Sequence, residues 1–130
     1  MTKKILIIMI LISSIYGNEI VIDKDTKLVW QDKGKIVKLN WQDAKKYCKN
    51  LTLGGSSDWR LPNIDELISI TDKKRYKPAI KRIFKNNRND WYWTSTLFSG
   101  DLSSAWIVGF KYGYDASHDI NYQNYVRCVK

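Results

Sequence analysis

Few side chains in this 130-residue sequence could do covalent or acid–base chemistry. Two of them are Cys48 and Cys128, with no CxxC spacing; in an exported chain such an even pair argues for one disulfide rather than a metal site or a nucleophile. That bridge would close a loop of about 80 residues, worth roughly 4.5 kcal/mol by chain entropy and more often about 2 to 4 in practice. The lone histidine sits in Ser117-His118-Asp119. Neighbours along an extended or looped segment point apart, so these three do not make a nucleophile, a base and an orienting acid, and an exposed loop histidine is the plainer reading. The sequence has no HExxH, no paired His/Cys spacing and no EF-hand loop, so no metal and no cofactor is expected. A structural calcium among Asp101, Asp115 and Asp119 stays open as an alternative. These features weigh against an enzyme.

Binding chemistry is better supplied. Lys and Arg number 22 against 13 Asp and Glu, and the aromatics are six Trp, eight Tyr and three Phe. The densest positive run lies between Asp72 and Asp90, where Lys81, Arg82, Lys85 and Arg88 are candidate contacts for an anionic surface; a solvated helix face is the alternative. A second candidate is the polar, ring-rich stretch Lys111 to Tyr125, with Lys111, Tyr112, Tyr114, His118, Asn121, Tyr122 and Asn124. Tyrosine gives broad contact area at low entropy cost and Asn supplies hydrogen bonds, which suits protein or carbohydrate surfaces; an ordinary solvated hairpin is the alternative. Trp91, between Asp90 and Tyr92, is the indole least committed to a core and joins this set. Trp30, Trp41, Trp59, Trp93 and Trp106 fall on apolar-patterned faces and are assigned to the core. Arg60, paired with Asp58 or Glu66 and packed on an indole, is assigned a structural role.

The elements that must position these groups follow from patterning. Met1 to Gly17 has Lys3 and Lys4, the apolar run Ile5 to Ile12 and small residues ending at Gly17, the layout of a secretory signal. The run is shorter than the ~20 residues a membrane-spanning helix needs; an uncleaved anchor is the alternative. Removal of the leader leaves residues 18–130 as a single domain and, with Lys3 and Lys4 gone, lowers the formal charge from +9 to +7. Secreted or periplasmic, such a domain would meet anionic polysaccharide, glycan or another surface protein rather than nucleic acid.

Ile20-Val21-Ile22 and Lys27 to Trp30 read as strands around a polar turn, and Gly34 marks the next turn. Asn40 caps a helix from Trp41 to Asn50, with Trp41, Ala44, Tyr47, Cys48 and Leu51 on one face. Gly54 to Ser57 is a turn, and Asn63 with Glu66 makes a capping box for a second helix. A short amphipathic helix is expected after Pro78, from Ile80, Ile83 and Phe84. Three strands are expected at Trp91 to Leu97, Ala105 to Tyr112 and Tyr122 to Lys130.

Leu28-Val29-Trp30-Gln31, Trp41-Gln42-Asp43-Ala44, Asp58-Trp59-Arg60-Leu61-Pro62-Asn63, Tyr92-Trp93-Thr94-Ser95-Thr96, Ala105-Trp106-Ile107-Val108 and Val126-Arg127-Cys128-Val129, in this order, resemble the Lcl C-terminal-domain family. The resemblance covers Lys27 to Lys130. It implies an α+β, C-type-lectin-like fold: two main helices on short twisted antiparallel sheets, with the Cys48–Cys128 bridge. Relatives of this fold generate formylglycine with reactive cysteines, and here both cysteines are expected in the bridge. Sugar-binding C-type lectins hold calcium with Glu-Pro-Asn or Gln-Pro-Asp and Trp-Asn-Asp motifs, which this sequence lacks. The resemblance implies adhesion, since the better understood relatives bind surfaces or glycans. With the charge and the sparse catalytic candidates above, the expectation is a non-enzymatic module for an anionic or glycan surface; an accessory subunit of an envelope or surface assembly, or of an envelope enzyme, is the alternative.

Overall fold

A computed structural model describes residues 19–33 and 36–130. The leader expected over residues 1–17 and the turn expected at Gly34 lie outside the described residues.

The β-branched residues of Ile20–Ile22 (β1) pair antiparallel with Val29–Gln31 (β2), Val21 opposite Trp30. Asp23 shapes the turn between them: its carboxylate accepts from Thr26 Oγ1 at 2.8 Å, and its carbonyl accepts from the Lys27 N–H. Helix α1, Trp41–Asn50, starts where Asn40 Oδ1 accepts from the Asp43 N–H at 2.9 Å and ends at Leu51, whose N–H returns to the Cys48 carbonyl. Its apolar spacing buries Trp41, Ala44 and Cys48. Helix α2, Ile64–Ser69, has the expected reciprocal cap between Asn63 and Glu66.

The main sheet runs β3 (Lys38–Leu39), β7 (Asn124–Tyr125), β4 (Trp91–Phe98), β5 (Asp101–Gly109), β6 (Tyr114–Asp119); all pairs are antiparallel except β4 with β7. Strand alternation sends Trp93, Ala105 and Ile107 into one core cluster with Trp41, Ala44 and Cys48 of α1. It sends Tyr92 and Val108 to the opposite side, where Leu67 and Ile70 join them with Trp30 and Phe110. The sheet therefore separates two cores with a helix against each. Two buried indole N–H groups find carbonyls across this arrangement, Trp41 Nε1 donating to Thr94 at 2.8 Å and Trp93 Nε1 to Leu39 at 2.7 Å, whereas that of Trp30 has no partner among the described residues.

The last residues run between two partners. Val129 bridges Trp30 on one side and Arg60 on the other, and Cys128 beside it is joined to Cys48. The fold is thus α+β, mostly sheet, with two helices among the described residues and the expected disulfide.

Three expectations are corrected. The segment after Pro78 is not a helix: Ala79 N–H donates to the Phe110 carbonyl, Lys81 N–H to Ile70, and Thr71 bridges Ile80. Its amides bond sideways to neighbouring segments, while Ala79, Ile80 and Phe84 still reach the core. The expected strand Tyr122 to Lys130 is cut to Asn124–Tyr125, because residues 128–130 leave the main sheet to pair with β2. The expected strand Ala105 to Tyr112 instead spans Asp101–Gly109, and the stretch read as loop beyond it contains strand β6.

Candidate functional site

The four basic candidates come from the turn-rich segment just described, so no shared helix face gathers them. Lys81 Nζ lies 3.0 Å from Asp23 Oδ1 and 2.9 Å from Asp25 Oδ2. Burial works to raise the Asp23 carboxyl, but hydrogen bonds from Lys81 and Thr26 and the Lys81 charge outweigh it and hold it below the usual range. Burial likewise works to lower Lys81, and its two carboxylate partners hold it above the ordinary lysine value. The charge of Lys81 is matched locally. Lys85 Nζ donates to the Arg82 carbonyl at 3.2 Å, and the Arg88 N–H donates to Tyr92 Oη at 2.8 Å, leaving the Arg82 and Arg88 side chains exposed.

Behind this segment lies a cation the sequence did not single out. The buried Arg127 guanidinium sits against the rings of Phe84, at 4.8 Å, and Tyr92, at 5.7 Å. It donates to the Gln31 and Asn86 carbonyls and pairs with Asp32 at 3.3 Å. Asp32 in turn accepts from the Lys85 and Asn86 N–H groups. Burial raises the Tyr92 phenol, against the opposing charge of Arg127.

The aromatic candidates do converge. Trp91, Tyr112, Tyr114 and Lys111 line a cleft of about 400 Å³ with Asn89, Asp90 and Gly109. Register makes it: Trp91 on β4 is opposite Gly109 on β5, which is opposite Tyr114 on β6. With no side chain at Gly109, the Trp91 ring lies flat on the backbone; a Cβ there would sit 3.0 Å from Trp91 Cε3 and Cζ3. The turn from β5 to β6, with Gly113 at φ +83°, brings Tyr112 alongside Tyr114, their ring centroids 6.1 Å apart. Lys111 Nζ stands 5.4 Å from the Tyr112 ring centroid.

Trp91 continues into a second group of rings, with His118 at 5.9 Å and Tyr122 a further 5.6 Å from His118. His118 is half-buried on β6, not in a loop, and its Nδ1 lies 3.1 Å from Nδ2 of the buried Asn124. Asn121 is exposed, its N–H donating to Asp119. The sequence missed Asn89, Asp90 and Gly109 as lining residues, since only cross-strand register sets Gly109 beneath Trp91.

The residues assigned structural roles divide. Trp30, Trp41, Trp59 and Trp93 are buried, whereas Trp106 is half-buried, stacked edge-on against Phe98 at 5.1 Å. Arg60 makes paired bonds to Glu66 at 2.6 and 2.7 Å. The Arg60 bonds lower the Glu66 carboxyl despite its partial burial, and Glu66 in turn raises Arg60. Asp58 is exposed, with Lys130 Nζ 3.7 Å away. Asp115 and Asp119 sit opposite Val108 and Ser104, at the two ends of β6, so they do not gather with Asp101. Among the described residues no group of three His, Cys, Asp or Glu is placed to hold a metal ion.

A second, larger groove of about 560 Å³ was not foreseen. Gln42, Lys45, Lys46 and Lys49 of α1 line it with Trp59, Arg60, Leu61, Asn63 and Ser95. Its sequence signal is the lysine spacing on α1, which lies outside the dense basic run.

No described helix is long and apolar enough to cross a membrane. No curated protein matches the chain. The Lcl C-terminal domain matches residues 19–130, which takes in both cores, the disulfide and both grooves, and the chain belongs to that family.

Proposed function

We propose that the protein is an exported, non-enzymatic binding module of C-type-lectin-like fold that recognises glycan at an anionic or sugar-coated surface through the cleft of Trp91, Tyr112 and Tyr114. The observation that carries this reading is the flat seating of Trp91 on Gly109 beside the two tyrosines, with Lys111, Asp90 and Asn89 at the edge. A sugar ring has one C–H-rich face and a rim of hydroxyls. An indole held in place by backbone suits the first, and an ammonium, a carboxylate and an amide suit the second. Preorganisation matters because rings already stacked lose little entropy when a ligand arrives. Lys111 adds a partner for an acidic sugar, and the excess of basic over acidic residues, which persists without Lys3 and Lys4, favours approach to anionic surfaces.

The test is calorimetric titration of the oxidised protein with neutral and acidic oligosaccharides, beside Trp91→Ala and Tyr114→Ala variants. Both variants are expected to weaken binding by about tenfold or more, as removal of central ring contacts does. Tyr114→Ala should leave thermal stability nearly unchanged, while Trp91→Ala should also lower it, because Trp91 packs against the first core. Equal affinity in wild type and both variants would remove the cleft from the function.

A further inference from the structure

The α1 groove has features of a different kind of site. Along α1, Gln42, Lys45, Lys46 and Lys49 fall at helical spacings of three and four and make one stripe about 10 Å long. Lys45, Lys46 and Lys49 are exposed and make no ion pair among the described residues; Lys45 lies over the Trp41 ring at 4.3 Å. This wall is positive, and no carboxylate lines the groove.

The opposite wall is extended backbone. Arg60 and Val129 exchange both N–H···O bonds at 2.9 Å, which makes them a hydrogen-bonded antiparallel pair. Residues on either side of such a pair turn their N–H and C=O groups the other way. Those residues are Trp59 and Leu61, both of which line the groove while their side chains belong to the α1 core. Their main-chain groups have no partner among the described residues. Backbone donors and acceptors of this sort are ordinarily paired, and a length of about three extended residues, ~10 Å, matches the lysine stripe.

We propose that this groove docks an extended acidic peptide segment of another protein, which pairs its main chain with the Trp59–Leu61 edge and sets carboxylates against Lys45, Lys46 and Lys49. Charge complementarity selects an acidic occupant. The unpaired backbone selects a polypeptide over a polysaccharide, because only a polypeptide presents regularly alternating amide donors and carbonyl acceptors. This site is separate from the aromatic cleft, and either can fail without the other.

The experiment is an amide NMR titration of the oxidised protein with an acetylated, amidated peptide of alternating Glu and Val, eight residues long. Beside it run the same peptide with alternate amides N-methylated, and a sulfated oligosaccharide. The amide resonances of Trp59 and Leu61 are expected to move and to gain protection from exchange. The triple variant K45Q/K46Q/K49Q is expected to lose about tenfold or more in affinity, the surface control K24Q to bind as wild type, and the N-methylated peptide to bind far more weakly. The proposal is overturned if the peptide does not bind, if the N-methylated form binds as well as its parent, or if the oligosaccharide moves the same amides and displaces the peptide.

Discussion

Gly109 governs the aromatic cleft although it contributes no side chain to it. A methyl group there would press on Trp91 at a distance where one of the two must move, and Trp91, half-buried at the start of β4, is the one free to yield. Gly109→Ala is therefore expected to tilt the indole away from His118, shift the Trp91 Nε1–H resonance and weaken glycan binding, at a stability cost of only about 1 kcal/mol. Arg127 behaves oppositely. It is buried with its charge on Asp32 and two carbonyls, so Arg127→Ala leaves the Asp32 carboxylate without its counter-charge, held only by the Lys85 and Asn86 N–H groups, and strips the Gln31 and Asn86 carbonyls of their donor. A loss of about 3–5 kcal/mol in urea denaturation is expected, and Arg127→Lys is expected to restore little, since a single ammonium cannot replace both guanidinium arms.

Among the elements, α2 is held at its start by a cluster in which Glu66 accepts from Arg60 and from the Asn63 N–H. The Arg60 bonds, with help from Asn63 and against partial burial, keep the Glu66 carboxyl below its ordinary value. A carboxyl lowered in the folded state stabilises fully above its unfolded value and ceases to as pH falls through its folded value. Thermal stability is therefore expected to fall as pH drops below about 4.5, and Glu66→Gln to flatten part of that slope. Because Arg60 is half exposed, the effect should be on the order of 1 kcal/mol; differential scanning calorimetry across pH checks it. The two helices and their caps were legible because Asn40, Asn63 and Glu66 act within three or four residues of themselves. The disulfide was legible from cysteine count, given an oxidising compartment. What could not be read was decided across the chain. The apolar spacing of Ile80 and Phe84 mimics a helix, yet their segment is bonded to residues 70 and 110. The lining of the cleft depends on Gly109 facing Trp91 across two strands. The groove beside α1 could not be read because the Trp59–Leu61 edge that completes it comes from another element.

At the scale of the molecule, the two cores meet across one sheet, and Cys48–Cys128 ties the helix of the first core to the chain segment that contacts β2 and Arg60. Reduction is expected to lower the unfolding free energy by about 2–4 kcal/mol, measured by denaturant titration with and without reductant. Tyr114→Ala should leave that difference unchanged, because Tyr114 belongs to neither core cluster. The bond has a consequence for survival in a milieu rich in proteases. Every surface turn from the double glycine at 54–55 to the Lys111–Gly113 bend falls between the two sulfurs. A single nick in any of them opens a ring instead of freeing a fragment, so the severed pieces stay tethered in register. On a denaturing gel such damage would run as one intact band until thiol is added.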